Sequence, residues 1–239
     1  MRNKEFDNVF KIEENHFWFI NKRRIVDFYL KKYYKDGLIL DSACGTGRDI
    51  KDLKDAIGMD YSFDGLLLAY NYCKSLVNGD ANFLPFKDKT FSIIFSFDLI
   101  QHKSIDIDKV LREYNRVLKK GGYVFLNLPM FNFLYSNHDN VVETSKRFST
   151  RDFKIFKSYG FTIKEKSFWN FLFFLPIIFY RKVISNFLSY DEYSDVRPLK
   201  PSMNKVFDRL FKFEFFLFKM GFIPVGVSSF VVLSKQVDL

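Results

Sequence analysis

LILDSACGTGRDI, residues 38–50, is a short apolar run that stops at an acid and passes into a turn with two glycines. Leu38–Ser42 predicts a buried parallel strand, and the turn that follows predicts the switch from strand to helix. Gly45 and Gly47 let the backbone turn tightly and come close to a ligand that a Cβ would hold off. The nicotinamide-dinucleotide fingerprint G-x-G-x-x-G is absent, because the spacing here is Ala43, Gly45, Gly47. A plain glycine-rich turn is the simpler reading of the same residues.

Outward from this turn the pattern alternates. A helix over 48–53 leads to a strand at AIGMD (56–60), a helix over 65–76, and a strand over 76–79 that ends before Asp80. FSIIFSF (91–97) has the continuous apolar character of a strand covered on both faces. Val110, Tyr114, Val117 and Leu118 recur at helical spacing over 108–118, with Gly121 and Gly122 as the stop, and YVFLNLP (123–129) is a fifth strand. This βαβ rhythm predicts an α/β fold. Asp41, Asp60 and Asp80 each fall just beyond a predicted parallel strand, at the edge where open α/β sheets bind ligands. Before this region lies a charged helix over 17–34. After it come an irregular polar stretch (130–148), a helix over 151–159 stopped by Gly160, a strand over 161–166, an aromatic run (168–180), a charged linker (191–201), a helix over 203–220 and a final strand VSSFVVLSK.

The bulk properties bound the partners. At 239 residues, 48% hydrophobic and 27% charged, the chain suits one folded α/β domain. Its 32 Phe and 13 Tyr exceed what one core requires, so some aromatic surface is expected to face a partner. A net charge of +9 favours an anionic surface, while a Lys-rich coat that merely keeps the protein in solution is the competing reading. Two cysteines, Cys44 and Cys73, with no metal-ligand spacing indicate neither a disulfide framework nor a metal site. The charged N-terminus does not resemble a signal peptide, so a cytoplasmic setting is expected. The run FWNFLFFLPIIFY is too short to cross a bilayer alone and suits a buried element, an apolar acceptor pocket or a segment lying in the membrane interface.

LILDSACGTGRDI resembles the first motif of class I S-adenosylmethionine methyltransferases, an acid followed by alternating glycines, with Ala43 where the first glycine is commonest. IGMDYS, GDANFLPF, FSIIFSFDLIQH and VLREYNRVLKKGGYVFLNLP continue the likeness over 38–129. The flanking phrases ENHFWFINKRR, HDNVVETSKRFSTRDF and SFWNFLFFLP, with the C-terminal stretch from Ser194, are similar to the type 11 group, often associated with cell-surface saccharide or glycolipid biosynthesis. The resemblance implies a Rossmann-like seven-stranded, mostly parallel sheet with helices on both faces and a Phe-rich C-terminal helical insertion. It divides the chain into an N-terminal cap (1–36), a cofactor-binding half (37–129), an acceptor lid (130–150) and the insertion (168–220). It implies S-adenosyl-L-methionine as cofactor, held by Asp41, Ala43, Gly45, Gly47, Asp60, Tyr61, Asp80, Ala81 and Asp98, with Asp60 on the ribose and Asp80 on the adenine amino group.

The acceptor end departs from the resembled group. Gln101-His102 stands for a common Glu-His, and Glu143-Thr144, Lys146-Arg147 and Phe148 stand for Gly-His, a basic pair and Tyr. His138, His102 and Asp139 are the candidate catalytic residues, a general base being useful for a hydroxyl acceptor. The expected reaction is O-methylation of a small or lipid-linked saccharide, at or near an anionic membrane surface. A quinone-type or natural-product acceptor, and a catalytically silent S-adenosylmethionine-binding scaffold, are the alternatives. Scattered basic residues and the lack of an Asn/Asp-Pro-Pro-aromatic motif after strand four argue against nucleic acid.

Overall fold

The computed structural model describes residues 3–182 and 197–239. Two helices, α1 (Asn3–Ile12) and α2 (Phe17–Tyr33), precede the first strand. The sheet region runs β1 (Leu38–Asp41), β2 (Ala56–Asp60), α3 (Phe63–Ala69), β3 (Leu76–Asn78), β4 (Phe91–Phe97), α4 (Ile107–Val117) and β5 (Leu118–Pro129). Then follow α5 (Asn137–Val141), α6 (Ile155–Ser158), β6 (Phe161–Trp169), α7 (Phe174–Lys182), α8 (Pro201–Lys219) and β7 (Ser228–Lys235). The strands form one seven-stranded sheet in the order β3-β2-β1-β4-β5-β7-β6. β1 to β5 run parallel to one another, and β7 runs antiparallel between β5 and β6.

Side chains alternate along the central strands, so each strand feeds two cores. Phe91 and Ile94 of β4, with Val124 and Leu126 of β5, pack beneath α4 and α6. Ile93, Phe95 and Phe97, with Phe125 and Phe230, pack beneath α2, α3 and α8. Helices therefore cover both faces, as the βαβ rhythm predicts. A polar seam crosses the first core: the Tyr114 hydroxyl lies 2.6 Å from Ser42 Oγ and donates to Ser96 Oγ at 2.8 Å, satisfying three buried hydroxyls between α4, β4 and the first loop.

Several boundaries differ from the sequence expectation. The helix expected over 65–76 is α3, which stops at Ala69, and residues 48–50 form one 3-10 turn. α4 passes directly into β5 at Leu118, so Gly121 and Gly122 sit inside the strand; Gly121 takes φ 76 where the β4–β5 register shifts. β6 continues past Lys166 to Trp169 because it pairs with the whole of β7. The core does not end at Lys166 either: Trp169, Phe211, Phe218 and Ile223 join the second core, which uses part of the aromatic surplus. The expected linker over 191–201 lies largely outside the described residues.

Gly226, just before β7, tests this packing. A Cβ there would meet the Trp169 carbonyl oxygen at 2.2 Å, and that backbone is pinned by β6–β7 pairing. Gly226→Ala is expected to lower unfolding free energy by about 1–3 kcal/mol, read from urea denaturation.

Candidate functional site

The carboxyl ends of β1, β2, β3 and β4 open into a cavity of about 1540 Å³. That exceeds the ~300–1,000 Å³ of a usual ligand cleft, leaving room for two molecules side by side. One end is polar and is built by the strand-end loops; the other is aromatic and aliphatic and is built by α2, α7 and α8.

At the polar end, the carboxylate of Asp60 ties two loops together. Oδ2 accepts from Gly45 N at 2.8 Å and Oδ1 from Ser62 N at 2.8 Å. Burial pushes this carboxyl up from the usual range, with the two backbone bonds opposing. Each oxygen keeps a further lone pair for a hydroxyl. Gly45 sits at φ 52, and a Cβ on it would have only Phe6 within 4 Å, at 3.7 Å. Asp80 accepts from the backbone and the side-chain amide of Asn82, both at 2.8 Å, which fixes its rotamer.

Ala43, Gly45, Asp60, Tyr61, Asp80, Ala81 and Asp98 all line the cavity. Asp41 and Gly47 are not among its lining. Asp41 is buried beneath the floor, where burial first and then Asp49 push its carboxyl up to about 8. Gly47 takes φ 79 and meets α3, since a Cβ would lie 2.8 Å from Ala69 Cβ. Its glycine serves loop-to-helix packing.

His102 and His138, both half-buried, line the cavity together with Asp139. Burial holds the His102 imidazole below its usual value, with Asp98 pulling the other way. Asp139 is 1% exposed and sits between two guanidiniums: Arg147 Nε at 2.9 Å and Arg181 at 3.5 Å. It also accepts from Ser136 N at 3.0 Å. Those contacts give it the surroundings of a structural anchor that joins α5, the Arg147 loop and α7. Glu143, where the resembled group carries Gly, adopts φ 58, a conformation favourable to glycine.

Residues distant in sequence complete the site. Glu13, just after α1, is 1% exposed; its Oε2 accepts from Thr46 Oγ1 at 2.5 Å, while Oε1 is buried without a hydrogen-bond partner among the described residues. Burial pushes the Glu13 carboxyl up to about 7. Lys22 of α2 pairs with Asp49 at 2.7 Å and approaches Asp98 to 4.0 Å. Asp98 itself adopts φ 54 and accepts from Asn127 Nδ2 at 2.8 Å. His16 also lines the cavity, its Nδ1 accepting from Trp18 N at 3.3 Å. Glu13 lies in the turn just after α1 and Lys22 on α2, and nothing local in the sequence reveals where those helices dock. The aromatic run contributes Leu172, Phe173, Pro176, Ile177 and Tyr180 to the apolar wall, and residues 183–196 of the expected insertion over 168–220 lie outside the described residues.

Comparison with known proteins agrees with this architecture. Residues 40–126 match the family model described as a methyltransferase domain. A putative methyltransferase of Encephalitozoon cuniculi is 36% identical over 108 residues, covering 44% of this chain and 49% of that protein. A demethylmenaquinone methyltransferase of Staphylococcus aureus is 31% identical over 155 residues, covering 56% of this chain and 61% of that protein. The chain spans about half the length of the first curated relatives it matches. A SAM-dependent methyltransferase of Thermotoga maritima, described as a possible histamine N-methyltransferase, superposes with a TM-score of 0.61 at 20% identity, over 98% of this chain and 95% of that one. The fold is thus the Rossmann-like α/β fold of class I methyltransferases.

Asp139→Ala is expected to destabilise the chain by roughly 3–5 kcal/mol, because it removes the shared carboxylate from a buried ionic cluster. Urea unfolding measures this. A stability change below ~1 kcal/mol would show that the cluster does not anchor α5 and α7.

Proposed function

We propose that this chain transfers the methyl group of S-adenosylmethionine to a hydroxyl oxygen of a small or lipid-linked saccharide. One observation carries the reading: a single cavity at the carboxyl edge of the sheet joins a nucleoside-type polar end to an apolar wall. The residues present fit the cofactor. Gly45 leaves space for close approach, Asp60 keeps lone pairs for a ribose diol, and Glu13 Oε1 is a buried acceptor that lacks a partner among the described residues. When bound, the sulfonium supplies an already activated methyl group, so no covalent enzyme intermediate is needed.

The chain's own residues then bind, orient and exclude water. Asp80 accepts from the adenine amino group, and Ala43, Tyr61, Ala81 and Asp98 border the cofactor. Asp41, from beneath the floor, and Gly47, against α3, shape the first loop. Glu13 accepts from the ammonium of the methionine moiety. His102, held neutral by burial, takes the acceptor's proton, with His138 as the second candidate base. Asp139, bound to two arginines, positions the lid over 130–150 and holds no proton in flight.

The saccharide assignment rests on the resemblance of the flanking segments. The lipid-linked part rests on the apolar wall, whose Phe173 ring stacks 5.1 Å from Phe211 beside Phe17 and Phe207. A quinone-type acceptor is the second reading, favoured by that same wall and by the Staphylococcus aureus relative.

Asp60→Ala and Asp80→Ala are each expected to weaken S-adenosylmethionine binding about tenfold or more, since each loses hydrogen bonds to a charged acceptor worth ~1.5–3 kcal/mol. Unchanged titration calorimetry in both folded variants would remove the cofactor site. Release of S-adenosylhomocysteine on adding lipid-linked saccharide or quinone fractions separates the two acceptor classes; binding without release from any fraction leaves the scaffold reading.

The pH dependence has a definite sign. Glu13 attracts an ammonium by charge only when ionised, and burial puts its carboxyl at about 7. Affinity should therefore rise between about pH 6 and about pH 8, and Glu13→Gln should flatten the rise. An equal slope in the variant would assign the pH dependence to another group.

A further inference from the structure

α8 carries more apolar surface than its packing uses. Phe211 and Phe218 turn inward to the second core, and Phe207 joins the cavity wall. Yet Met203, Val206, Leu210, Phe213, Phe216 and Met220 recur at three- and four-residue spacing and remain exposed, Phe213 at 57% and Phe216 at 52%. That spacing is one face of a helix. It continues through Phe222, 65% exposed, and is matched on α7 by Leu175 and Phe179 at 73% and 59%.

The charges beside this face have one sign. Lys205, Arg209, Lys212 and Lys219 are exposed along its edge. The two acids of α8 are both engaged inward: Asp208 pairs with Arg24 at 2.6 Å and Lys212 at 3.2 Å, and Glu214 is buried, accepting from Asn170 N and Leu172 N. The stripe also runs into the cavity, because Met203, Leu210 and Tyr180 are at once exposed and part of its lining.

We propose that the outward face of α8, with the exposed apolar residues of α7, docks on an anionic lipid bilayer and turns the apolar mouth of the cavity toward it. Aromatic and methionine side chains enter the acyl boundary while the flanking cations meet head-group phosphates, the arrangement of an interfacial helix. None of the described helices is long and apolar enough to cross a membrane, so the docking is in-plane. A second copy is a poorer occupant: pairing α8 with itself would bring Lys205, Arg209 and Lys219 together with their own copies, Lys212 alone of the four being paired with an acid of the helix. Delivery of an acceptor from the bilayer rests on the lipid-linked reading above; the docking does not.

The experiment is co-sedimentation of the full chain with sucrose-loaded vesicles of phosphatidylcholine, with and without phosphatidylglycerol, at about 0.1 M salt. The wild-type chain should pellet with the anionic vesicles and stay in the supernatant with the neutral ones. Two double variants away from the cavity lining, Phe213→Ser with Phe216→Ser and Lys205→Glu with Arg209→Glu, should each bind at least about tenfold more weakly. Thermal unfolding and S-adenosylmethionine titration of each variant confirm that fold and cofactor site persist. A wild-type chain that remains in solution with anionic vesicles, or double variants that pellet as it does, overturns the docking. So does a wild-type dimer that the Phe213→Ser, Phe216→Ser pair converts to monomer without any vesicle binding. Loss of cofactor binding by the wild-type chain would instead strike the function proposed above.

Discussion

The Asp60 carboxylate is the constraint on which the polar half of the molecule depends. It stands at the end of β2 and holds Gly45 N and Ser62 N, so the loop after β1 and the start of α3 are fixed relative to one another. Burial works against its charge, and the backbone donors offset that cost. Because β1 pairs with both β2 and β4, the same clamp sets where the β4 end, with Asp98, faces the first loop. A site assembled from four strand ends therefore hangs on a side chain that donor groups of the main chain hold in place.

A second layer comes from helices outside the sheet region. α1 brings Glu13 to Thr46, and α2 brings Lys22 to Asp49 and near Asp98. α2 also packs on α8 through Phe28, Phe215 and Phe218. Elements far apart in sequence thus share one wall, and movement of either helix would change both the polar end and the apolar end.

This division explains what was readable beforehand. The strand-end acids and Gly45 follow from local rules: an apolar run, a stop and a turn, each within a few residues of the last. The sheet's parallel part was legible for the same reason. Glu13, Lys22 and Arg181 were not, because their place in the cavity lining comes from docking between segments, which hydrophobic spacing does not encode. α1 is a case in point: it ends at Ile12, and Glu13 lies in the turn beyond it, where helical spacing no longer says which way a side chain faces. Helix ends also escaped, since Leu118 begins a strand where its apolar character continues the helical spacing, and pairing with β4 decides between them. For Asp139 the residue type suggested proton transfer, and the sequence gives no sign of the two arginines that flank it, on which the anchoring role proposed above is argued.

The chain has two tryptophans, and the fold brings them together. Trp18 lines the cavity, and its ring lies 4.6 Å from that of Trp169. Trp169 in turn donates through Nε1 to Asn127, which donates to Asp98 at the cavity floor. The indole emission of this protein is consequently emission from the cavity wall and from the hydrogen-bonded chain beneath it. A bound molecule alters the surroundings of one fluorophore directly and of the other through two polar side chains, Asp98 and Asn127, so the molecule carries its own optical gauge of occupancy, without a label.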